Sequence, residues 1–129
     1  MMNPTLTPQI QQALASERLI DITTTGRVTG QQHRIEIFFH NIDGRLYITG
    51  KPGKRRQWYE NLRVNPSLTF HLKQSVTADL PAQATPILDE AERRRVLAAI
   101  LAGMPDHDGE LEAWVAGSPL VQVDIIGMQ

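Results

Sequence analysis

Two glycines and four cations fall within the seven residues Gly50-Lys51-Pro52-Gly53-Lys54-Arg55-Arg56, directly before the amphipathic run Gln57-Trp58-Tyr59-Glu60-Asn61-Leu62. Glycine lets a ligand approach the backbone closely. A helix that starts where the loop ends presents unpaired N–H groups and the positive end of its dipole. The residue types and their spacing therefore describe an anion cradle with Lys51, Lys54, Arg55 and Arg56 as donors. It is not a Walker-type phosphate loop, because Arg55 follows Lys54 where that motif needs Ser or Thr, and its glycines are spaced more widely. Taken alone, a basic, glycine-rich stretch is slightly more often a solvated surface turn than a ligand site, so the cradle needs support from the rest of the chain.

Other chemistries are poorly provided for. The chain has no cysteine, which removes disulfides, thiolate metal sites and a Cys nucleophile. The four histidines, His33, His40, His71 and His107, lack metal-ligand spacing, and His40 and His71 read as exposed strand positions. No Ser–His–Asp arrangement is visible, so a hydrolase is disfavoured and no catalytic residue is assigned. Trp58 and Trp114 lie on apolar helix faces and read as core residues, and Arg93-Arg94-Arg95 reads as a solvated helix face. Net charge is −1 over 129 residues, which points to neither nucleic acid nor a membrane surface. The distribution is uneven, with seven Lys/Arg between Gly26 and Arg56 against two acids, and eight Asp/Glu from Asp89 onward against three arginines. A local anionic ligand fits this better than a polyanion. No apolar run reaches membrane-spanning length, and the N-terminus lacks a signal-peptide core, so a cytoplasmic protein is expected.

The elements that must position the loop are mostly strands. Thr7-Pro8 reads as an N-cap and first-turn proline for a short helix with Ile10, Ala13 and Leu14 on one face, within an N-terminal segment at 1–18. Leu19 to Thr25 has strand composition, and Gly26 to Gly30 breaks it. From Arg34 to His40 the pattern alternates, with Ile35, Ile37 and Phe39 on one face and Arg34, Glu36, Phe38 and His40 on the other. Asn41-Ile42-Asp43-Gly44 signals a hairpin returning as Arg45 to Thr49. Trp58 and Leu62 stack at i,i+4 in a helix stopped by Asn65-Pro66. Strands follow at Ser67–Lys73 and Val76–Leu80, and Pro81 and Pro86 bound an irregular or edge segment. Asp89, with Glu92 three residues on, caps a helix running to Met104, a shorter one ends at Gly117, and Leu120 to Ile126 is a strand. The expected fold is mainly β with α: a single domain over 1–129, a six-stranded antiparallel barrel or α+β roll with flanking helices.

Thr23-Thr24-Thr25-Gly26-Arg27-Val28-Thr29-Gly30, then Arg34, then Gly50-Lys51-Pro52-Gly53, then Trp58-Tyr59-Glu60-Asn61-Leu62-Arg63-Val64-Asn65-Pro66 closely resembles the deazaflavin-dependent nitroreductase family. The order and combination of these blocks carry the resemblance, which covers roughly residues 19 to 126, most of the chain. It implies a split β-barrel of the flavin-binding type and the deazaflavin coenzyme F-420. That coenzyme has a phosphodiester and a glutamate tail, which Lys and Arg donors can hold. It also implies contacts from Arg34, Gly50, Lys51, Pro52 and Gly53, to which charge adds Lys54, Arg55 and Arg56, while Phe38 and Trp58 offer packing for the flat ring. Val28 stands where the family carries a cation, Gly50 and Pro52 replace a serine and a glycine, and the segment from Met104 to Leu111 contains none of the family's tyrosines.

The activity implied is hydride transfer from the reduced coenzyme to an electron-poor acceptor such as a quinone, an activated alkene or a nitroaromatic. His107 is the titratable group in the tyrosine-less segment suited to neutral pH. Two alternatives stay open: an FMN-dependent split-barrel reductase, for which fewer cations suffice, and a non-enzymatic binder of an anionic lipid, haem or other hydrophobic ligand. The expected partners are small molecules, the cofactor and its hydride acceptor, with a homodimer as the family-level expectation.

Overall fold

The structure, a computed structural model, describes residues 6–107 and 109–126. The first five residues of the expected 1–18 segment, Asp108 and residues 127–129 lie outside it. Helix α1 (Pro8–Ser16) starts as its sequence dictates: the Thr7 hydroxyl accepts from Ile10 N at 3.2 Å, and Ile10, Ala13 and Leu14 are buried. Seven strands follow, β1 (Leu19–Thr25), β2 (Gln32–Phe38), β3 (His40–Ile42), β4 (Arg45–Thr49), β5 (Ser67–Leu72), β6 (Ala78–Pro86) and β7 (Leu120–Ile125), with α2 (Gln57–Val64) between β4 and β5. Helices α3 (Glu90–Ala102) and α4 (Leu111–Gly117) separate β6 from β7. No helix among the described residues is long and apolar enough to cross a membrane.

All strand pairs are antiparallel, in the order β2-β1-β5-β6-β7-β4-β3. The edge strands β2 and β3 are consecutive in the chain, joined through Phe39 alone, so the sheet must curl until its edges meet there. This is why seven strands form where six were expected. The alternation from Arg34 to His40 is continuous in sequence, but Phe39 plunges into the core, packs edge-on to Phe70 at 5.1 Å, and donates its N–H to the Arg18 carbonyl at 2.8 Å. The chain leaves one edge of the sheet and begins the other at that residue.

A second departure concerns Pro81, which lies inside β6 rather than bounding it. Its carbonyl accepts from Ile126 N at 2.9 Å. In an antiparallel ladder a residue's N–H and C=O face the same neighbour, so the missing donor faces the β7 side, beyond the first β6–β7 pair at Ala82↔Ile125. The ladder with β5 loses nothing. The β3–β4 hairpin is the two-residue type its sequence signals, with Asp43 and Gly44 at φ 53° and 87° and the Asn41 side chain accepting from Gly44 N.

Two cores result. Inside the barrel, Ile20, Ile22, Leu46, Ile48, Phe70 and Val123 pack with α1 and with Trp58 and Leu62 of α2. Outside it, Val96, Leu97, Ile100 and Leu101 of α3 and Trp114 and Val115 of α4 cover Tyr47 and Leu120. Strand β4 is therefore buried on both faces, which explains the unbroken apolar run Leu46-Tyr47-Ile48.

Candidate functional site

The cationic loop and three recesses among the described residues gather around the first turn of α2. On one side of it, a pocket of about 420 Å³ is lined by Thr24, Gly26, Arg27, Val28, Thr29, Gln31, His33 and Ile35 of the β1–β2 hairpin and by Gln57, Trp58 and Asn61 of the helix. Its wall is largely apolar, and Val28 and Ile35 present their side chains to it from exposed positions. Buried Asn61 fixes the hairpin to the helix. Its Oδ1 accepts from Arg27 N at 3.2 Å and from Arg27 Nη1 at 2.8 Å, while its Nδ2 donates to Thr24 Oγ1 at 3.3 Å. Arg27 Nη1 also donates to Gln57 Oε1 at 2.8 Å. Trp58 is 6 % exposed and belongs to the barrel core while one part of it faces the pocket.

On the other side lies the cationic loop. Gly53 has φ 86° and open space where a side chain would stand, so the turn itself requires glycine. A Cβ at Gly50 would stand 3.0 Å from Cζ of Arg56, whose guanidinium lies over it and whose Nη2 donates to the Lys51 carbonyl at 3.3 Å. Pro52 and Gly53 rest on the end of α4, where Gly117 admits them, its Cβ position being 3.4 Å from the Pro52 Cβ. Arg56 is the N-cap residue of α2 but makes no side-chain cap, which leaves the first-turn N–H groups available to an anion.

Lys54 and Arg56 border two recesses. One, of about 390 Å³, adds Arg55, Tyr59, Glu60, Arg93 and the turn from Ala116 to Pro119. The other, of about 350 Å³, adds His40, Thr49, Gly50, Lys51, Met104 and Trp114. Two buried polar atoms beside the loop have no hydrogen-bond partner among the described residues, Arg56 Nε and Ser118 Oγ. Unpartnered buried donors are costly and mark places where a ligand group or water completes the structure.

The loop residues Gly50, Lys51, Pro52, Gly53, Lys54, Arg55 and Arg56 thus come together, with Trp58 on the adjoining pocket. Arg34 and Phe38 stand apart. They project from the outer face of β2, the opposite face from His33 and Ile35, and line none of these recesses. Phe38 is 58 % exposed, and Arg34 Nε donates to Asp21 Oδ2 at 3.0 Å. Lys73, which also bonds Glu36, joins Arg34 in holding the Asp21 carboxyl below its ordinary range, the hydrogen bond from Lys73 being the larger cause.

Three expectations about side chains change. His71 is buried, not exposed: its Nδ1 donates to Asp79 Oδ1 and its Nε2 pairs with Thr23 Oγ1, both at 2.7 Å. This hydroxyl–imidazole–carboxylate line staples three strands on the outer face. Strands on both sides of β1 pair with the backbone beside Thr23, and the carboxylate is the exposed member of the line. His40 is half-buried, and burial followed by the nearby Arg18 charge lowers its pKa to about 4. Arg93 is not a solvated cation. It donates to the carbonyls of Ile87, Trp114, Val115 and Ser118, capping the carboxyl end of α4.

The pocket residues Arg27, Gln57 and Asn61 were not singled out from sequence. The available signal was Asn61 itself, a polar residue on the buried stripe between Trp58 and Leu62.

A curled antiparallel sheet whose two edge strands meet, with helices packed at the seam, defines a split barrel. The profile of the F420H(2)-dependent quinone reductase family matches residues 5–114, and the chain belongs to that family. It is accordingly an oxidoreductase that uses coenzyme F-420. Solved structures share the fold at low identity. A conserved hypothetical protein of Mycobacterium tuberculosis is 18% identical, with TM-score 0.70, over 96% of this chain and 82% of that one. An F420-H2 dependent reductase is 18% identical, with TM-score 0.62, over 84% and 95%. An FAD-binding protein of Mesorhizobium loti is 18% identical, with TM-score 0.61, over 88% and 85%.

Proposed function

We propose that the coenzyme straddles the first turn of α2, its flat ring in the Thr24–Trp58 pocket and its phosphodiester and glutamate carboxylates at Lys51, Lys54, Arg55 and Arg56. The observation that carries this reading is the uncapped helix start flanked by those cations, with Arg56 Nε buried and unpartnered beside it. The donor set suits the group: ammonium and guanidinium donors meet phosphate and carboxylate oxygens, and guanidinium does so in a bidentate way. On the other side, Ile35, Val28 and Trp58 supply apolar wall and exclude water, while Asn61 holds Arg27 and the hairpin in place before any ligand arrives. Arg34 and Phe38 are left out of the site because their strand face turns away from it.

When bound in its reduced form, the coenzyme supplies a hydride to an electron-poor acceptor such as a quinone. The chain supplies position, a dry wall and charge. Calorimetric titration with oxidised F-420 and with FMN, at low and at high salt, tests the reading. F-420 is expected to bind more tightly than FMN, with the difference shrinking as salt screens the exposed cations. Equal affinities, or tighter binding of FMN, would overturn the proposal and favour the single-phosphate cofactor.

A further inference from the structure

The two edges of the sheet are not alike. Strand β3 has three residues, whereas β2 has seven, contains no proline, and keeps an unbroken register with β1 from Leu19↔Phe38 to Thr25↔Gln32. Every β2 residue except Ile37 is exposed. Proteins commonly blunt such an edge with a bulge, a proline or a covering element; β2 has only the charges of Arg34 and Glu36. Which backbone groups lie open follows from the ladder. Gly26 N donates to the Gln31 carbonyl at 2.7 Å, and Phe39 N to the Arg18 carbonyl at 2.8 Å. Bonded and non-bonded positions alternate in an antiparallel pair, so Thr24↔His33, Ile22↔Ile35 and Ile20↔Ile37 are the bonded ones. The N–H and C=O groups of Gln32, Arg34 and Glu36 therefore point away from β1, to an edge on which no strand pairs among the described residues.

Those charges are self-complementary. When a second β2 runs antiparallel along this edge with a two-fold axis at Ile35, Arg34 faces Glu36 of the partner subunit and Glu36 faces the partner's Arg34. Both positions carry the outward N–H and C=O groups, so they can also exchange backbone hydrogen bonds. The two neighbouring registers that this parity allows, centred on Arg34 or on Glu36, set like charges opposite each other. Arg34 and Glu36 remain 54 % and 59 % exposed while bonded to Asp21 and Lys73, so each has room for a second partner. We propose that the chain forms a two-fold homodimer through β2, joining the two sheets into one. The axis stands perpendicular to the sheet, so the inner faces of both copies lie on the same side. There the partner subunit's Ile35 lies beside Ile35 and extends the apolar wall of the Thr24–Trp58 pocket, to which Val28, 89 % exposed, also belongs. Each copy thus adds to the other's pocket, whichever cofactor occupies it.

Sedimentation velocity over a concentration series tests this, and the unmodified chain is expected to dimerise. Arg34→Glu and Glu36→Arg each set like charges opposite one another and should weaken the dimer by roughly ten-fold or more. An equimolar mixture of the two variants restores opposite charges and should pair. Thermal melts confirm that each variant is folded, and recovery on mixing cannot come from local disruption. Arg34→Ala removes a charge but leaves the backbone pairing, and should weaken the dimer far less. The register has its own readout, because the chain has no cysteine. Ile35→Cys places two thiols at the axis in a non-hydrogen-bonded pair, about 4.5 Å apart between Cα atoms, and should cross-link under mild oxidation. His33→Cys stands four residues out of register with its own copy, about 14 Å away, and should not. A chain that stays monomeric at millimolar concentration, a dimer unaffected by Arg34→Glu, or cross-linking of His33→Cys in preference to Ile35→Cys overturns the proposal.

Discussion

On the hairpin side of α2, the pocket is held open by buried hydrogen bonds from Asn61 to Arg27 and Thr24 and by Trp58 anchored in the barrel core. On the loop side, Lys54, Arg55 and Arg56 gather at a helix start without a side-chain cap, and Arg56 rests on the backbone of Gly50. One side is shaped by buried hydrogen bonds; the other collects positive charge at the surface. Shape of this kind contributes to folding stability, whereas collected charge costs stability until it is neutralised. Mutations on the two sides should therefore be felt in different experiments.

The largest expected effect is on the pocket side. Trp58→Ala should lower stability by about 3–5 kcal/mol, the usual cost of emptying a buried indole site. Denaturant melts check it, and Trp58→Phe should recover a good part of the loss. An unchanged midpoint would mean that Trp58 serves the ligand and not the core, and the contrast between the two sides would collapse.

Next comes His40, on the loop side. Its pKa in the folded chain is about 4, against 6.5 for a free imidazole, so the unfolded chain binds the proton more readily. Stability is therefore intact above pH 6.5 and declines as pH falls from there toward 4, by about 2–3 kcal/mol after allowing for partial solvent access. His40→Asn should flatten that part of the stability–pH curve. A decline of the same size in the variant would assign it to other groups.

Asn61→Ala leaves the backbone N–H of Arg27 and the Thr24 hydroxyl without their partner, and should cost about 1–3 kcal/mol. Hydrogen exchange should show the β1–β2 hairpin loosening while the loop from Gly50 to Arg56 keeps its protection. The smallest effect is expected at Arg34. Its partner Asp21 is also held by Lys73, and the pair lies on the outer face of the sheet, so Arg34→Ala should change stability little and cofactor affinity not at all. A marked loss of affinity would show that the outer face of β2 takes part in binding.

Much of this was legible in the chain. Period-two alternation gave the strands, Thr7 and Asp89 gave the helix starts, and the glycines and clustered cations marked the loop that leads into α2. What stayed hidden depended on contacts distant in sequence. Phe39 continues the alternation of its neighbours, and only the meeting of two sheet edges explains why pairing stops there. Pro81 reads as a breaker until its missing donor is found to face away from β5. His71 and Arg93 look solvent-facing by composition, yet strands and helix ends brought from elsewhere bury them. The motif match implies a contact from Arg34, and sequence spacing alone does not reveal that its side chain stands on the face of β2 opposite His33 and Ile35.

The division of labour around α2 is tested most directly by measuring Lys54→Ala/Arg55→Ala against two ligands: oxidised F-420, and the same deazaflavin ring on its ribityl chain without phosphodiester or glutamates. Each charge-assisted hydrogen bond is worth roughly 1.5–3 kcal/mol, so the variant should bind F-420 at least tens of fold more weakly than the parent. The tail-less ring, held by the pocket alone, should bind both proteins with affinities within about two-fold, since no charged partner is lost. An equal loss for both ligands, or none for either, would contradict the assignment of ring to pocket and anionic tail to cradle.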